Sequence, residues 1–577
     1  MFRRFCILGA SDMSDAIWSN SSSRLRDIFD HEVHHHDRSR IALLWVAAAA
    51  TLVVSPQVFL GNASGHDIQF HLASWMDVAA QWRQGILFPR WAEWANFGFG
   101  EPRFIFYPPL SWILGAALGL ILPWRAVPGA FIWIALVIAG ASMHHLARVW
   151  LRPQDAIAAA VLFAVNPYHL AIIYYRSDFA ELLASALFPL LILHTISLAR
   201  DAWLRVPQFA IVFAAIWLTN APAAVIATYS VAILLAAEIV LSRSIKPALV
   251  AAVAAASGFA LASFYILPAF YEQRWVDISQ ALTSLLQPWH NFLFTQADDP
   301  EFVLFNLKIS AVALLVIAVF AISAVLAARR RESAPEVFWP LATLGIAAIL
   351  LMFRESVWLW RFVPELRFVQ FPWRWLLPLD VAAVFFFCAA AARLPHRWPA
   401  WIAATVVLAS VAAWMCTNNW WDDQDAPSLA ASIASGAGYE GTDEYQPLGC
   451  DRTDLPGSAP RASLLDPETN AAVSAAGARL RVEAWTAEHK VVDVDTPRPV
   501  TLELQLLAYP AWRAAVNGLS VKIDPLPDTA VVTLPLPAGT NRVDLRFTHT
   551  KDRIAGFLIS LAAANFLFLF RIKLSPK

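Results

Sequence analysis

Stretches of about twenty apolar residues recur from one end of this chain to the other, and they fix its solvent. The first, "IALLWVAAAATLVVSPQVFL", fills 41–60. A run of that length spans hydrocarbon as a helix, the only open-ended structure that satisfies every backbone N–H and C=O from within. Comparable runs lie at 129–147, 155–173, 180–198, 206–220, 221–240, 247–266, 308–327, 336–353, 373–392, 399–416 and 553–571. The pair 206–220 and 221–240 is one hairpin broken at "TNAPA", where Pro222 turns the chain. With 58% hydrophobic and 15% charged residues the chain is not water-soluble, and its net charge of −1 gives no basic field for nucleic acid. Its 26 tryptophans suit lipid–water interfaces.

One shorter run, "PLSWILGAALGLIL" at 109–122, decides the topology. If it dips without crossing, the basic segments "ARVWLR", "LARDAWLR", "SRSIK", "ARRRE", "ARLPHR" and "RIKLSPK" all face the cytoplasm with "RSR" at 38–40. The expectation is therefore twelve spans with both ends inside; thirteen is the alternative. Segments 61–128, 174–179, 267–307 and 417–552 then lie outside. The expected parts are a cytoplasmic tail (1–40), a transmembrane unit (41–416) with a first external loop (61–128), an outer domain (417–552), and a last span with its cytoplasmic end (553–577). In 417–552 the first half is rich in turn formers and reads as irregular. From 478 onward "ARLRVEAW", "HKVVDVD", "VTLELQLL", "LSVKI", "TAVVTLPL" and "RVDLRFTH" alternate apolar and polar residues, as strands of a β-sandwich do.

Some patterns are declined. The first 40 residues lack the basic-then-apolar order of a cleavable leader. "HEVHH" at 31–35 matches a zinc-protease pattern but has no scaffold or third ligand. "NSS" and "NAS" match a sequon short enough to occur by chance. Cys6, Cys388, Cys416 and Cys450 show no metal spacing; Cys416 and Cys450 could pair if they share a side of the membrane.

The chemistry-bearing residues gather at the outer ends of spans. "GHDIQFH" (65–71) places Asp67 between His66 and His71 just after the first span. Ile68, Leu72, Trp75, Met76, Ala79 and Trp82 recur at helical spacing through 68–85, which predicts a helix lying flat in the interface with Asp67 at its N-terminus. There Asp67 either simply caps the helix or serves a site. The same loop brings Arg90, Glu101, Arg103 and Tyr107 among aromatic, Gly and Pro residues. "YYRSDFAE" carries Arg176, Asp178 and Glu181, readable as a brace between spans or as part of a pathway. "PELRFVQFPWRWLLPLD" offers Arg367 and Arg374, whose guanidiniums suit a lipid phosphate or merely snorkel, with Asp380 deeper; "FYEQRWVD" adds Glu272, Arg274 and Asp277.

Taken with "PRWAEWANFGFGEPRFIFYPPL", "NPYHLAIIYYRSDFAELLA" and "FVQFPWRW", this arrangement resembles bacterial membrane proteins called 6-pyruvoyl-tetrahydropterin synthase-related, and with them the GT-C glycosyltransferases, including YfhO-like proteins. The C-terminal "YPAWRAAVNG" and "LPAGTNRVDLRFTHTKDRIAGFLISL" resemble the β-domain and closing span of the YfhO-like group. The resemblance implies a GT-C-like polytopic α-helical membrane protein with an extracytoplasmic β-sandwich and a final transmembrane helix. It implies a polyprenyl-phosphate sugar donor, a glycan or lipid acceptor, and work on the periplasmic face of the bacterial inner membrane. By position Asp67 matches the first-loop acid of these enzymes, Asp178 or Glu181 the acid of the next external loop, and Arg367 and Arg374 the basic residues near the lipid phosphate. His66, His71, Arg90, Glu101, Arg103, Tyr107, Arg176 and Arg274 are the expected substrate-binding set. His66 stands where many members show a second acid, so no cofactor is assigned and use of a divalent metal stays open.

The chemistry is coherent: an acceptor hydroxyl needs a base, a desolvated carboxylate can supply it, and arginine can hold the departing phosphate. Asp67 is the expected base, with inversion at the anomeric carbon. Two rivals remain. One is a transporter or flippase of lipid-linked glycans, which would show repeats and a charged path through the membrane. The other is a non-catalytic envelope assembly protein.

Overall fold

The structure, a computed structural model, describes residues 38–295, 299–329, 335–469, 471–473 and 477–574. The expected tail, with His31, Glu32, His35 and Cys6, falls almost wholly outside the described residues. Among those residues nine helices are long and apolar enough to cross a membrane: Arg38–Leu60, Trp124–Ala147, Pro153–Arg176, Phe179–Leu198, Ala221–Ser242, Pro300–Arg329, Pro372–Ala391, Trp398–Thr417 and Lys551–Ile572. Two bent pairs bring the number to as many as 11: Lys246–Leu261 with Ser263–Trp275, at 75°, and Glu336–Met352 with Arg354–Phe362, at 91°. Pro109–Gly119, where the dipping segment is expected, is a short helix of 11 residues. The expected span at 206–220 is also short. Its helix, Val206–Trp217, has 12 residues, about 18 Å by the 1.5 Å rise, against roughly 30 Å of hydrocarbon. The chain breaks there because Asn220 caps the next helix, accepting from the Ala223 N–H at 2.9 Å, with Pro222 in the first turn.

The helices are not equivalent. Phe179–Leu198 and Pro372–Ala391 lie almost wholly inside the bundle, whereas Trp398–Thr417 runs along its outside. Charged groups on the inner pair are therefore enclosed by protein on all sides. The four segments expected outside meet one another at a single end of the bundle. Asn62–Ala63 pairs antiparallel with Trp421–Asp422; the Gly65 N–H donates to the Ser177 hydroxyl at 3.1 Å; the Asp277 N–H donates to the Gln446 carbonyl at 3.1 Å.

The alternating C-terminal runs form two antiparallel sheets around a shared core that includes Val492, Leu502, Leu534 and Val543. One has the order Ala462–Leu465, Val500–Leu507, Val531–Leu536, Asp524–Pro525; the other Arg479–Thr486, His489–Thr496, Gly539–Phe547, Trp512–Val516, Leu519–Val521. The half read as irregular contains an amphipathic helix, Asp425–Ser435. Cys416 and Cys450 are both free thiols, so the considered pairing is not made.

The helix after Asp67, Ile68–Arg83, corrects one expectation. It does not present one apolar face to a surface: His71, Ser74, Asp77 and Gln81 are as buried as Leu72 and Trp75. Pro109–Gly119 covers one side and the Asp425–Ser435 segment another. Asp77 survives there because Gln81 Nε2, the Trp94 N–H and the Tyr439 hydroxyl donate to it at 2.8, 3.1 and 2.9 Å. Burial nonetheless outweighs those bonds and lifts its carboxyl to about 6. Between roughly pH 4 and 6 the folded chain keeps a proton that the unfolded chain has lost. Stability therefore falls as pH rises through that window, by about 3 kcal/mol, and is flat above it. In thermal unfolding in detergent, the Asp77→Asn variant is expected to lack this slope; parallel wild-type and variant curves between pH 4 and 6 would refute it.

Candidate functional site

The geometry begins at a local irregularity. The helix from Pro153 ends in one π-helical turn, Ile172–Arg176, followed by Ser177 at φ +55°. Such turns often mark functional sites because they re-aim side chains. Here the turn swings Arg176 inward. Gly65 packs directly against it: a Cβ there would lie 2.4 Å from the Arg176 carbonyl carbon. The first loop can thus press close enough for the Asp67 N–H to donate to the Arg176 carbonyl at 2.9 Å.

Arg176 becomes a hub. Its Nη2 donates to Asp67 Oδ2 at 2.8 Å and Asp178 Oδ2 at 3.3 Å, and its Nη1 to Glu181 Oε2 at 3.2 Å. Arg374, on the first turn of the inner helix Pro372–Ala391, closes the cluster: Nε donates to Glu181 Oε2 at 2.8 Å and Nη2 to Asp178 Oδ2 at 3.3 Å. Its Nη1 donates to the Val369 carbonyl and Gln370 Oε1. The Tyr168 hydroxyl donates to the other Glu181 oxygen. Asp178 caps its helix, accepting from the Glu181 N–H at 2.9 Å, and His71 Nε2 stands 3.8 Å from its other face. Burial works to raise the Asp178 carboxyl, but His71, Arg176 and Arg374 outweigh it and hold it below the usual carboxylate range.

The sequence-predicted residues separate cleanly. Asp67, His71, Arg176, Asp178, Glu181 and Arg374 come together, with Tyr107 beside them, its ring 6.1 Å from His71. Asp67 does not cap its helix; its side chain goes to Arg176 instead. His66 is exposed, its ring edge-on to Phe305 at 5.0 Å. Glu101 and Arg103 form a separate buried pair at 2.7 Å that reaches Ser74 and Thr442. Gly441 lets that C-terminal segment approach, since a Cβ there would meet Glu101 Oε2 at 2.6 Å. Arg90 pairs with Glu488 on the β-sheet unit at 2.9 Å. Arg274 is exposed and stacks on Tyr271 at 3.8 Å, and Arg367 is exposed over Phe368.

Three acids face two guanidiniums, so the cluster carries −1 if all ionise and His71 is neutral. Only Asp67 opens to solvent: its side chain is 34% exposed, against 6% for Asp178 and 0% for Glu181. Among the described residues its Oδ1 takes no hydrogen bond. The donor set does not suit a divalent cation, because the guanidiniums already occupy the carboxylates, and no group of three or more His, Cys, Asp or Glu among the described residues is placed to hold one. Tyr168 and Gln370 join the cluster unforeseen; Tyr168 stood in a quoted segment, but nothing in its spacing tied it to Glu181.

A bundle of membrane-crossing helices, a β-sandwich on one end and a buried ion network at that same end define a polytopic membrane protein with a built polar site. Residues 104–420, more than half the chain, match the family model described as 6-pyruvoyl-tetrahydropterin synthase related domain, membrane protein; the chain belongs to that family. No curated protein matches it. Solved structures similar to it include arabinofuranosyltransferase AftD from mycobacteria, at 16% identity and TM-score 0.42, covering 69% of this chain and 29% of that one. A mutant of AftD aligns at 16% identity and TM-score 0.40, over 66% and 28%. The oligosaccharyltransferase AglB from Archaeoglobus fulgidus, in complex with an inhibitory peptide and a dolichol-phosphate, aligns at 15% identity and TM-score 0.35, over 70% and 56%. The chain thus spans less than two thirds of the length of each of these structures, and under a third of the two arabinofuranosyltransferase chains.

Proposed function

We propose that the protein is a membrane glycosyltransferase of GT-C type, acting at the periplasmic face of the bacterial inner membrane on a polyprenyl-phosphate-linked sugar. The observation that carries this reading is the asymmetry of the acid cluster: one carboxylate open, two enclosed, all three held by Arg176 and the enclosed two also by Arg374. Asp67 takes the proton of the acceptor hydroxyl as that oxygen bonds to the anomeric carbon. The bond from that carbon to the phosphate oxygen breaks, the electron pair leaves with the polyprenyl phosphate, and the configuration inverts. Asp178 and Glu181 are positioning residues, since neither is open to a substrate; they fix Arg176, which fixes Asp67.

This reading moves the phosphate contact. Arg374 spends its donors on two carboxylates and the 369–370 turn, so it orients the acids rather than holding the phosphate. Arg367, exposed nearby in sequence, keeps its guanidinium available. Cells lacking the protein are expected to accumulate a polyprenyl-phosphate-linked sugar, detectable by mass spectrometry of extracted lipids. An unchanged lipid-linked pool, together with normal envelope glycans, counts against transfer. Movement of such a lipid across liposomes without any product would favour the flippase.

A further inference from the structure

Away from the acid cluster, the structure contains a hollow of about 1060 Å³ where the last helix, the Ser263–Glu272 helix and the first loop meet. That is at the upper end of ordinary ligand pockets. Ile86, Phe88, Phe264, Phe557, Leu558 and Leu561 form its apolar walls. Phe557, Leu558 and Leu561 also stand 60%, 56% and 50% exposed on a membrane-crossing helix, so the hollow opens sideways into the bilayer. From Arg553 to Leu561 the lining helix rises about 12 Å.

The other end is polar. Arg90 grips Glu488 with Nε and Nη2, at 3.0 and 2.9 Å. Arg553 grips Glu272 in the same way, at 2.6 and 2.7 Å. Arg90 Nη1 lies 2.8 Å from His549 Nδ1. A guanidinium only donates, so Nδ1 must accept, which makes the ring neutral and puts its proton on Nε2. Each arginine is thus matched by a carboxylate, with Asp552 a further acid beside Glu272, so the end has no surplus positive charge; it presents an imidazole N–H and a spare Arg90 N–H as donors, and a Glu488 carboxylate as acceptor.

We infer that this hollow binds a zwitterionic aminophospholipid from the surrounding outer leaflet, with one acyl chain between the last helix and the first loop. The phosphate accepts from His549 Nε2 and Arg90, and the ammonium donates to Glu488. Charge decides the head group: two paired arginines leave no surplus positive charge for an anionic lipid, whereas a zwitterion adds a matched pair to a matched pair. Such a lipid mortars the first loop to the last helix, a role independent of sugar transfer.

The test is native mass spectrometry of the delipidated full chain in detergent, titrated separately with phosphatidylethanolamine, phosphatidylcholine and phosphatidylglycerol. Phosphatidylethanolamine is expected to bind at least tenfold more tightly than the others. That preference should be lost in His549→Ala, and binding of all three lipids should weaken in Leu558→Trp, which narrows the apolar end of the hollow. Circular dichroism of both variants checks that they fold. Equal binding of the three lipids, preference for phosphatidylglycerol, or a preference unchanged in folded His549→Ala would overturn the assignment.

Discussion

Replacing Asp67 by Asn is expected to cut sugar transfer by roughly 10²–10⁴-fold, the range that a general base contributes, and to leave the protein folded. The two halves of that statement have separate causes. Asn keeps the size and one oxygen for Arg176 but cannot take a proton at neutral pH. Stability should change little, because Asp67 is one-third open and Arg176 keeps Asp178 and Glu181. The measurement is single-turnover transfer by purified protein in nanodiscs, with unfolding temperature read alongside. Asp67→Glu, which restores the carboxylate one methylene out of place, should recover part of the rate. A fully active Asp67→Asn protein removes the base from the proposal and the proposal with it.

The second large effect is on folding. Arg374→Met removes a cation that lies 4% exposed between two carboxylates with side chains 6% and 0% exposed. Breaking a buried pair from one side typically costs about 3–5 kcal/mol, because the abandoned charge stays desolvated. The expected readout is a marked drop in thermal stability in detergent. The double variant Arg374→Met with Glu181→Gln should be more stable than Arg374→Met alone, since it removes both ends of the closest contact. If the single variant is as stable as the wild type, the cluster does not have the dryness assigned to it.

Both effects depend on contacts that the sequence showed unevenly. Hydropathy marked the helices because a bilayer tolerates little else, and the positive segments sorted their ends. Period-two alternation marked six of the nine strands described in the two sheets; Ala462–Leu465, Asp524–Pro525 and Trp512–Val516 escaped because the runs are short and "WRAAV" is too rich in alanine to alternate visibly. Within the site, Arg176, Asp178 and Glu181 were legible as a group because they are neighbours in the chain. Their union with Arg374, 193 residues beyond Glu181, was legible only as a shared depth, not as a bond. Asp77 was illegible: it interrupts an apolar stripe where a surface residue would also sit, and of the three groups that donate to it one, Tyr439, lies 362 residues away. Ion pairs of this kind are chosen by packing, which no local spacing encodes.

That distance has a consequence for assembly. The two-residue ribbon joining Asn62–Ala63 to Trp421–Asp422 ties together segments that lie about 360 residues apart in the chain. Tyr439 and Thr442 then supply partners for Asp77 and for Glu101. The loop bearing Asp67 is translated early, and its buried acids find Gln81, the Trp94 N–H and Arg103 close by, but their sets of donors are complete only once the segment of Tyr439 and Thr442 has emerged. Its maturation is therefore a late, long-range closure, of the slow kind that non-local contacts impose. A chain that stalls or is clipped after its inner helices would hold most of its spans around an unset first loop.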